Sequence, residues 1–557
     1  MKRVALALVV VTALAVASSA AAADWAPTTA TFTNQIASSP APGWGYPAAD
    51  GTPAPGECTT GKFNSNRSES WIAVDPGSEN ALGVSKFFFD KYSTFYNFYL
   101  GGYTITNGTP SGNSGVPGYD CITTGTQDMP PSWTNNTDPN ADFDTHHRAY
   151  QVTLPFNAYW TNLHPNGAIG AVYTDNRGQS WTKSKGTDSF GYLEYLNKES
   201  SFSFGGFEDK QWVAVNHYLN TGYTDTKGFH STTDHVYAMW SIFNGDAVKL
   251  KESVSRDRGL NYSKPITISV PSQTGPSTTY VYPSVGPDGT LWVALASFDA
   301  SGGSDADIYV TQSKDDGQTF LPWTFVARSH GNPGDFVNGN FRDGILESFA
   351  ASQDYATHAY LTYEDWNSAK GTMDVRFAYT TSGLSGWRAG LYANDTSTRN
   401  DWTDQFQPSV AAGPGGAVAV AFYDRRGTCP SDPSVAPGNA GKPNTCIDTS
   451  LQAYKDDGTT VKAVGPNVRM TDFAWDPSEP RQHFKGIGQI ACYAHRDPCP
   501  GVFIGDYFGL AISGGNIYGL FVSTHYPSTV KADEGGKVYY QQQILATVPR
   551  AGFGSGY

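Results

Sequence analysis

Short runs that alternate apolar with small or polar residues recur along this chain. Each is broken by a Gly- or Asp-containing turn, and the two-residue period predicts β-hairpins. Tyr282 to Asp299 (YPSVGPDGTLWVALASFD) reads as strand, tight turn, strand; Gln407 to Asp424 (QPSVAAGPGGAVAVAFYD) and Tyr507 to His525 (YFGLAISGGNIYGLFVSTH) repeat it. Looser copies begin at Glu69, Asn140, Lys210 and about Leu346. Seven hairpins result. The first six start roughly 60–75 residues apart and the last after roughly 100; the excess reads as loop insertions around Cys429 to Cys446 and before Cys499.

A second unit follows several hairpins. Thr174 to Trp181 (TDNRGQSW), Ser255 to Tyr262 (SRDRGLNY) and Ser313 to Phe320 (SKDDGQTF) share one spacing: hydroxyl, Asp or Asn two on, Gly four on, aromatic seven on. Tyr454 to Val461 (YKDDGTTV) is a degenerate copy. Gly178, Gly259 and Gly317 suit a positive φ in a tight turn. Asn176, Asp257 and Asp315 can accept N–H bonds across it. Trp181, Tyr262 and Phe320 then fold under the turn, so the unit is expected to pack rather than to catalyse. On these residues the chain resembles the Asp-box (bacterial neuraminidase repeat) proteins of the sialidase-like β-propeller group.

Hairpins that cannot bury both faces alone stack around a shared axis. An all-β fold follows: one propeller over residues 61–549, with seven blades by the hairpin count against the six that the resemblance implies. One more strand, Lys537 to Val548, follows the last hairpin, and a strand near Thr28 to Ile36 would supply the missing outer strand and close the ring. Residues 24–60 then form an N-terminal arm with that strand, its Pro40 to Gly56 stretch rich in Gly, Pro and Ala, and residues 550–557 a flexible tail.

Composition narrows the setting. Lys2, Arg3, the uncharged apolar run Val4 to Val16 and the small residues Ser18 to Ala23 read as an export signal over residues 1–23, hence a secreted, extracellular protein with no membrane span in its mature form. The six cysteines fit disulfides in an oxidising compartment, and neighbour pairing (Cys58 with Cys121, Cys429 with Cys446, Cys492 with Cys499) closes the shortest loops among 15 connectivities. A net charge of −14 without clustered Lys and Arg argues against nucleic acid. The chain reads as a monomer. No cofactor or catalytic metal is expected; strand-end oxygens would suit a structural calcium, although no loop matches a known calcium spacing.

Stacked hairpins bring their strand ends to one channel mouth. The leading positions are Glu69, Asn140, Lys210, Tyr282, Leu346, Gln407 and Tyr507, with Arg67, Glu208, Asp209, Arg342, Asp343, Asp404 and Asp506 beside them. The trailing positions run through Asp90, Asn157, Asn244, Asp299, Asp365, Asp424 and His525, flanked by Glu364, Arg425, Arg426 and Tyr526. Strand-end Asp and Asn also commonly bond to nearby backbone. The triplet His146, His147 and Arg148 aligns with a hairpin turn and is expected at the opposite mouth.

The resemblance implies glycoside hydrolysis in which three arginines hold a substrate carboxylate bidentately and a tyrosine backed by a glutamate is the nucleophile. It places Tyr507 as nucleophile, Glu208 as its partner and Asp90 as acid. Arg67, Arg342 and Arg425 or Arg426 become carboxylate ligands, with Glu69, Asp506 and Tyr282 around the substrate. The Phe/Tyr-Arg-Ile-Pro motif of true sialidases is absent; Asn66 to Trp71 (NRSESW) stands in its place. An exo-acting hydrolase on anionic or complex glycans is one reading. A polysaccharide lyase on the same scaffold, or a non-catalytic glycan- or protein-binding propeller, are the others.

Overall fold

Six antiparallel sheets follow one another along the chain, each with a four-strand path in sequence order from the innermost strand outwards, and a seventh joins strands from both ends of the chain. In the computed structural model the described residues are 25–38, 67–88, 98–116, 133, 135–157, 166–196, 206–218, 234–244, 247–298, 303–334, 336–339, 341–344, 346–398, 402–430, 438–477, 503–524, 527–531, 537–539 and 541–557. Asp90, His525, Tyr526, Cys58, Cys121, Cys492 and Cys499 lie outside them.

Blade 1 runs from Arg67–Val74 through Ala81–Phe88 and Phe98–Thr106 to Thr109–Gly115. Blades 2 to 6 begin at Asn135–Thr137, Gly206–Val215, Thr278–Val285, Glu347–Ala351 and Gln405–Gly413. Blade 7 comprises Gly509–Ile512, Asn516–Ser523 and Gln542–Pro549, and its fourth, outer strand is Thr33–Ile36, with Thr33 opposite Thr547 and Ile36 opposite Ile544. The count of seven and the closing N-terminal strand are as the sequence predicts. Closure from the opposite end of the chain gives the last sheet its fourth strand and joins the two ends of the ring. The strand expected over Lys537 to Val548 is divided: Lys537–Tyr539 pairs with Pro527–Lys531, and Gln542–Pro549 joins the blade. Residues 550–557, read as a tail, form a 3₁₀ turn over Arg550–Phe553, and the Tyr557 hydroxyl donates to the Val418 carbonyl at 2.7 Å.

Blades bury their faces against each other. Second strands such as Leu291–Phe298 and Ala417–Asp424 are almost wholly buried runs of Ala, Val, Leu and aromatics, flanked on both sides by neighbouring sheets. The Asp-box turns have the expected geometry. In blade 4 the Gly317 N–H donates to Ser313 Oγ (2.9 Å) and the Thr319 N–H to Asp315 Oδ1 (2.8 Å), while Gly317 holds φ +77°. Blades 2 and 3 repeat both bonds through Thr174 with Asn176 and Ser255 with Asp257.

The residue before each box glycine staples its blade to the previous one. Arg258 donates to Asp144 (2.7 Å), and Asp316 accepts from the Tyr237 hydroxyl (2.6 Å). In the degenerate box Asp456 takes the stapling role, accepting from Tyr360 (2.6 Å), and Asp457 closes the turn. Blade 5 carries a further variant that sequence reading missed, Thr380 to Trp387, in which Trp387 again packs inwards.

Cys429 and Cys446 form a disulfide with Cα atoms 5.2 Å apart, the pairing expected from the shortest loop. Among the described residues no helix is long and apolar enough to cross a membrane.

Candidate functional site

Six of the seven inner strands have a residue in left-handed conformation within or beside them: Glu69 (φ +39°), Asp138 (+57°), Lys210 (+52°), Tyr280 (+57°), Gln407 (+45°) and Gly505 (+108°). In blades 1, 3, 4 and 6 this residue sits in a β-bulge, where the register slips between Ser68 and Ser70, Asp209 and Trp212, Thr279 and Tyr282, and Phe406 and Ser409. Five of the six are not glycine, and a side chain there costs on the order of 1 kcal/mol per residue. Such strain persists where the surrounding structure enforces it and concentrates at working sites. Among the described residues blade 5 carries no left-handed residue at this position, and it pairs without a register shift from Glu347 opposite Tyr363 onwards.

The left-handed residues correct the sequence register. In blades 2, 4 and 7 the rim is occupied by Asp138, Tyr280 and Gly505, two residues ahead of the predicted Asn140, Tyr282 and Tyr507, because the left-handed turn there, within a bulge in blade 4, is not revealed by hydrophobic spacing. The residues two further on form the layer beneath. Trp71, Trp212, Tyr282 and Tyr507 pack with ring centroids 4.6–6.3 Å apart and close the channel under the rim. Below them the channel, about 160 Å³, is lined by small and apolar side chains such as Ala73, Val215, Ala351 and Ala412.

Tyr507 therefore departs from its expected role. It is buried, its hydroxyl donates to the Pro139 carbonyl at 2.8 Å, and burial together with Glu69 and Asp138 pushes its pKa well above the usual phenol value. That environment keeps the phenol protonated, the opposite of what a nucleophile needs. Tyr282 is buried beside it. Glu208 lies on the sheet face opposite Asp209 by strand alternation, and Asp209 is the one that meets Asp138.

At the rim the turned-in residues form a chain of charges. Lys86 Nζ lies 2.7 Å from Glu69 Oε2 and 4.0 Å from Asp138 Oδ1. Lys210 Nζ is 3.6 Å from Asp138 Oδ2 and 2.7 Å from Asp506 Oδ2. Arg342 closes a two-bond fork on Asp506, with Nε donating to Oδ1 at 2.8 Å and Nη2 donating to Oδ2. Phe503 stacks over both ends, 4.8 Å from Lys86 and 4.7 Å from Arg342. Sequence reading had Lys210 and Asp209 in its columns but missed Lys86, Asp138 and Tyr280. A polar residue two places before an aromatic, as in Glu69-x-Trp71, Lys210-x-Trp212 and Tyr280-x-Tyr282, was the available signal.

Environment separates these carboxyls into two classes. Burial alone would raise them all. Asp506 is nevertheless held far below the usual range by Arg342 and Lys210, and Asp138 is lowered by Lys210 and Lys86. Burial wins at Glu69, pushed up to about 7 despite Lys86, and at Asp209, also about 7, where Asp138 adds to the rise.

Where blade 5 lacks its bulge, a cleft of about 560 Å³ opens beside the rim. Tyr280, Phe298, Phe336 and Phe341 supply its aromatic walls, and Arg342, His330, Asp343 and Glu364 its polar ones. Asp343 and Glu364 hydrogen-bond to each other. Burial raises Asp343 to about 6, and burial plus the neighbouring Asp343 raises Glu364 well above its ordinary value. Glu364 is fixed by the Gln407 N–H, 2.5 Å from its Oε1. This is a carboxyl dyad carrying a proton near neutral pH, in a cavity of the size small ligands occupy. Beneath it Glu347, fully buried, has its pKa raised well above normal by burial.

The predicted site residues thus divide. Glu69, Arg342 and Asp506 meet at the rim. Arg67 is buried at its edge, its guanidinium 4.0 Å over the Phe87 ring. Arg425 and Arg426 do not join them: Arg425 pairs with Asp404 at 3.1 Å, and Arg426 with Asp424 and Asp395 at 2.6 Å each, fully buried within blade 6. Hydrophobic spacing put them at a strand end but could not show that acidic neighbours claim both guanidiniums. His146 and His147 sit at the opposite mouth, as expected, on Asp234 (3.0 Å) and Asp75 (2.8 Å). Asp144, His146 and Asp234 bring potential ligand atoms within 4.8 Å of one another. The Arg258 guanidinium already occupies Asp144 there.

No family model and no curated protein matches the chain. Among solved structures it is similar to a protein of unknown function from Dyadobacter fermentans DSM 18053, at 10% identity over 65% of this chain and 92% of that one, TM-score 0.38. It is also similar to the sialidase of Trypanosoma rangeli, at 10% identity over 95% of this chain and 60% of that one, TM-score 0.39. The α-L-arabinanase of Penicillium chrysogenum complexed with arabinobiose shows 15% identity over 61% of this chain and 93% of that one, TM-score 0.32.

Proposed function

We propose that this protein is a secreted, glycan-active hydrolase whose working site is the cleft at blade 5, with the Asp343–Glu364 dyad as proton donor. The observation that carries this reading is two buried carboxyls in mutual contact lining an open cavity. A carboxylic acid that stays protonated near neutral pH can protonate a glycosidic oxygen as the bond breaks. The excess of carboxyls at the adjoining rim favours the positive charge that develops on the sugar ring. The aromatic walls suit the apolar faces of a sugar.

A second reading, a propeller that binds glycans without cleaving them, is favoured by one observation. Among the described residues no trio of arginines gathers around a tyrosine, the set that sialidase-type chemistry requires. A panel of aryl glycosides and oligosaccharides, incubated with the wild type and with Asp343→Asn and Glu364→Gln, separates the two. Release by the wild type that drops in both variants supports hydrolysis at this cleft. Equal release by all three removes the dyad from the reaction, and binding without release leaves the second reading.

A further inference from the structure

We propose that the cleft is selective for an uncharged sugar residue, because the chain's own Asp506 fills the cationic place that a substrate carboxylate would need. The inference rests on the cleft being the glycan site and concerns what that site accepts.

A guanidinium recognises a carboxylate by presenting two parallel N–H donors. Arg342 is the guanidinium lining the cleft, and both donors of its fork are spent on Asp506. The same carboxylate takes the Lys210 ammonium at 2.7 Å. The third rim cation, Lys86, is committed to Glu69 and Asp138. On the outer wall His330 lies 2.8 Å from Asp365, which also holds Arg376 at 2.9 Å. Lys86, Lys210, Arg342 and Arg376 are therefore each matched by protein carboxylate, while Arg67 is buried at the rim's edge with its guanidinium over Phe87.

Asp138 and Asp506, whose pKa values are held low by Lys86, Lys210 and Arg342, are the ionised carboxylates of this space. Glu69, Asp209, Asp343 and Glu364 add negative charge only as pH rises through their raised pKa values. An anionic sugar entering this space would meet like charge with little water to screen it. It could bind only by displacing Asp506. That residue is locked in place: its segment is flanked by Gly344 and Gly505, where an added Cβ would stand 2.1 Å from the Asp506 carbonyl oxygen and 2.5 Å from the Glu69 nitrogen. A neutral sugar meets none of this opposition. Its hydroxyls can donate to the cleft carboxyls, and its C–H face can lie on Phe298 or Phe341.

Equilibrium binding on the full chain tests this, by calorimetry or saturation-transfer NMR. The probes are methyl β-D-galactopyranoside and methyl α-L-arabinofuranoside as neutral ligands, and D-glucuronate and N-acetylneuraminate as anionic ones. The wild type should bind at least one neutral glycoside and hold both anions at least tenfold more weakly. Asp506→Asn, which removes the resident anion and keeps the shape, should gain at least tenfold for an anionic probe. Tighter binding of either anion than of both neutral probes by the wild type, or no binding of any of the four, overturns the inference; so does a folded Asp506→Asn protein without the gain. If that variant does not fold, the wild-type preference decides alone. Neutral binding without hydrolysis leaves the selectivity standing and removes only the catalytic reading.

Discussion

Gly344 lies so tightly against Asp506 that a β-carbon built on it would stand 2.1 Å from the Asp506 carbonyl oxygen and 2.3 Å from its Cα. Backbone on one side and backbone on the other leave no flexible side chain to yield. This contact ties the loop before blade 5, which carries Arg342 and Asp343, to the segment before blade 7, which carries the rim anion. Gly344→Ala should therefore separate the two loops and break the Arg342–Asp506 fork. The expected cost is about 1–3 kcal/mol, read by urea unfolding, together with weakened glycan binding. A variant with wild-type stability and affinity would show that the contact does not position the site.

The dyad predicts a pH profile. General acid catalysis needs the protonated form, and raised carboxyl pKa values keep that form present up to about pH 6, the value for Asp343. Hydrolysis should thus be retained in mildly acidic buffer and fall as pH rises through the apparent pKa of the pair. Asp343→Asn and Glu364→Gln should each lower kcat by roughly 10²–10⁴-fold and abolish that alkaline limb. The check is initial rates from pH 4 to pH 9 on one aryl glycoside. An alkaline limb that survives in both variants belongs to another group.

Glu69 predicts a stability profile of the opposite kind from an ordinary paired carboxylate. Its folded pKa, about 7, stands above its ordinary 4.5. Between those values the native state holds a proton that the unfolded chain has released, so stability falls as pH rises from about 4.5 to 7 and then levels. Glu69→Gln removes this dependence, and its unfolding free energy should lose about 1–3 kcal/mol less than the wild type across that window. Asp506, depressed by Arg342 and Lys210, acts at the other end, and its contribution is lost as pH falls below about 4. Chemical denaturation at pH 5 and pH 8 distinguishes the two; parallel pH curves for wild type and Glu69→Gln would count against this assignment.

The Asp-box turns belong to the opposite ends of the strands. In blade 4 the box follows Ser313, which pairs with Leu291 at the start of the second strand, whereas the cleft takes Phe298 from its far end. Asp315→Ala removes acceptors for the Thr319 N–H and hydroxyl (2.8 and 2.6 Å) and should cost about 1–2 kcal/mol. Glycan affinity should stay as it was. A loss of affinity without loss of stability would place ligand contacts on that face.

The repeat, the seven blades, the closing N-terminal strand and the box turns were legible because each rests on local rules. Strand alternation needs only neighbouring residues, and Ser313, Asp315 and Gly317 bond to one another within a single turn. The rim was legible as a gathering of charge but not in its register. Left-handed residues at Glu69, Lys210, Tyr280, Gln407 and Gly505 are set by packing around the axis, and those at Tyr280 and Gly505 put Tyr282 and Tyr507 down in the aromatic layer. Arg425 and Arg426 read as ligand-binding arginines until Asp404, Asp424 and Asp395 are seen to hold them. The sequence alone determined the architecture, because hydrophobic period and turn chemistry act over a few residues. Which carboxyls keep a proton, which cations are already matched and where a cleft opens were decided only by the tertiary structure, since burial and Coulombic pairing depend on residues hundreds of positions apart.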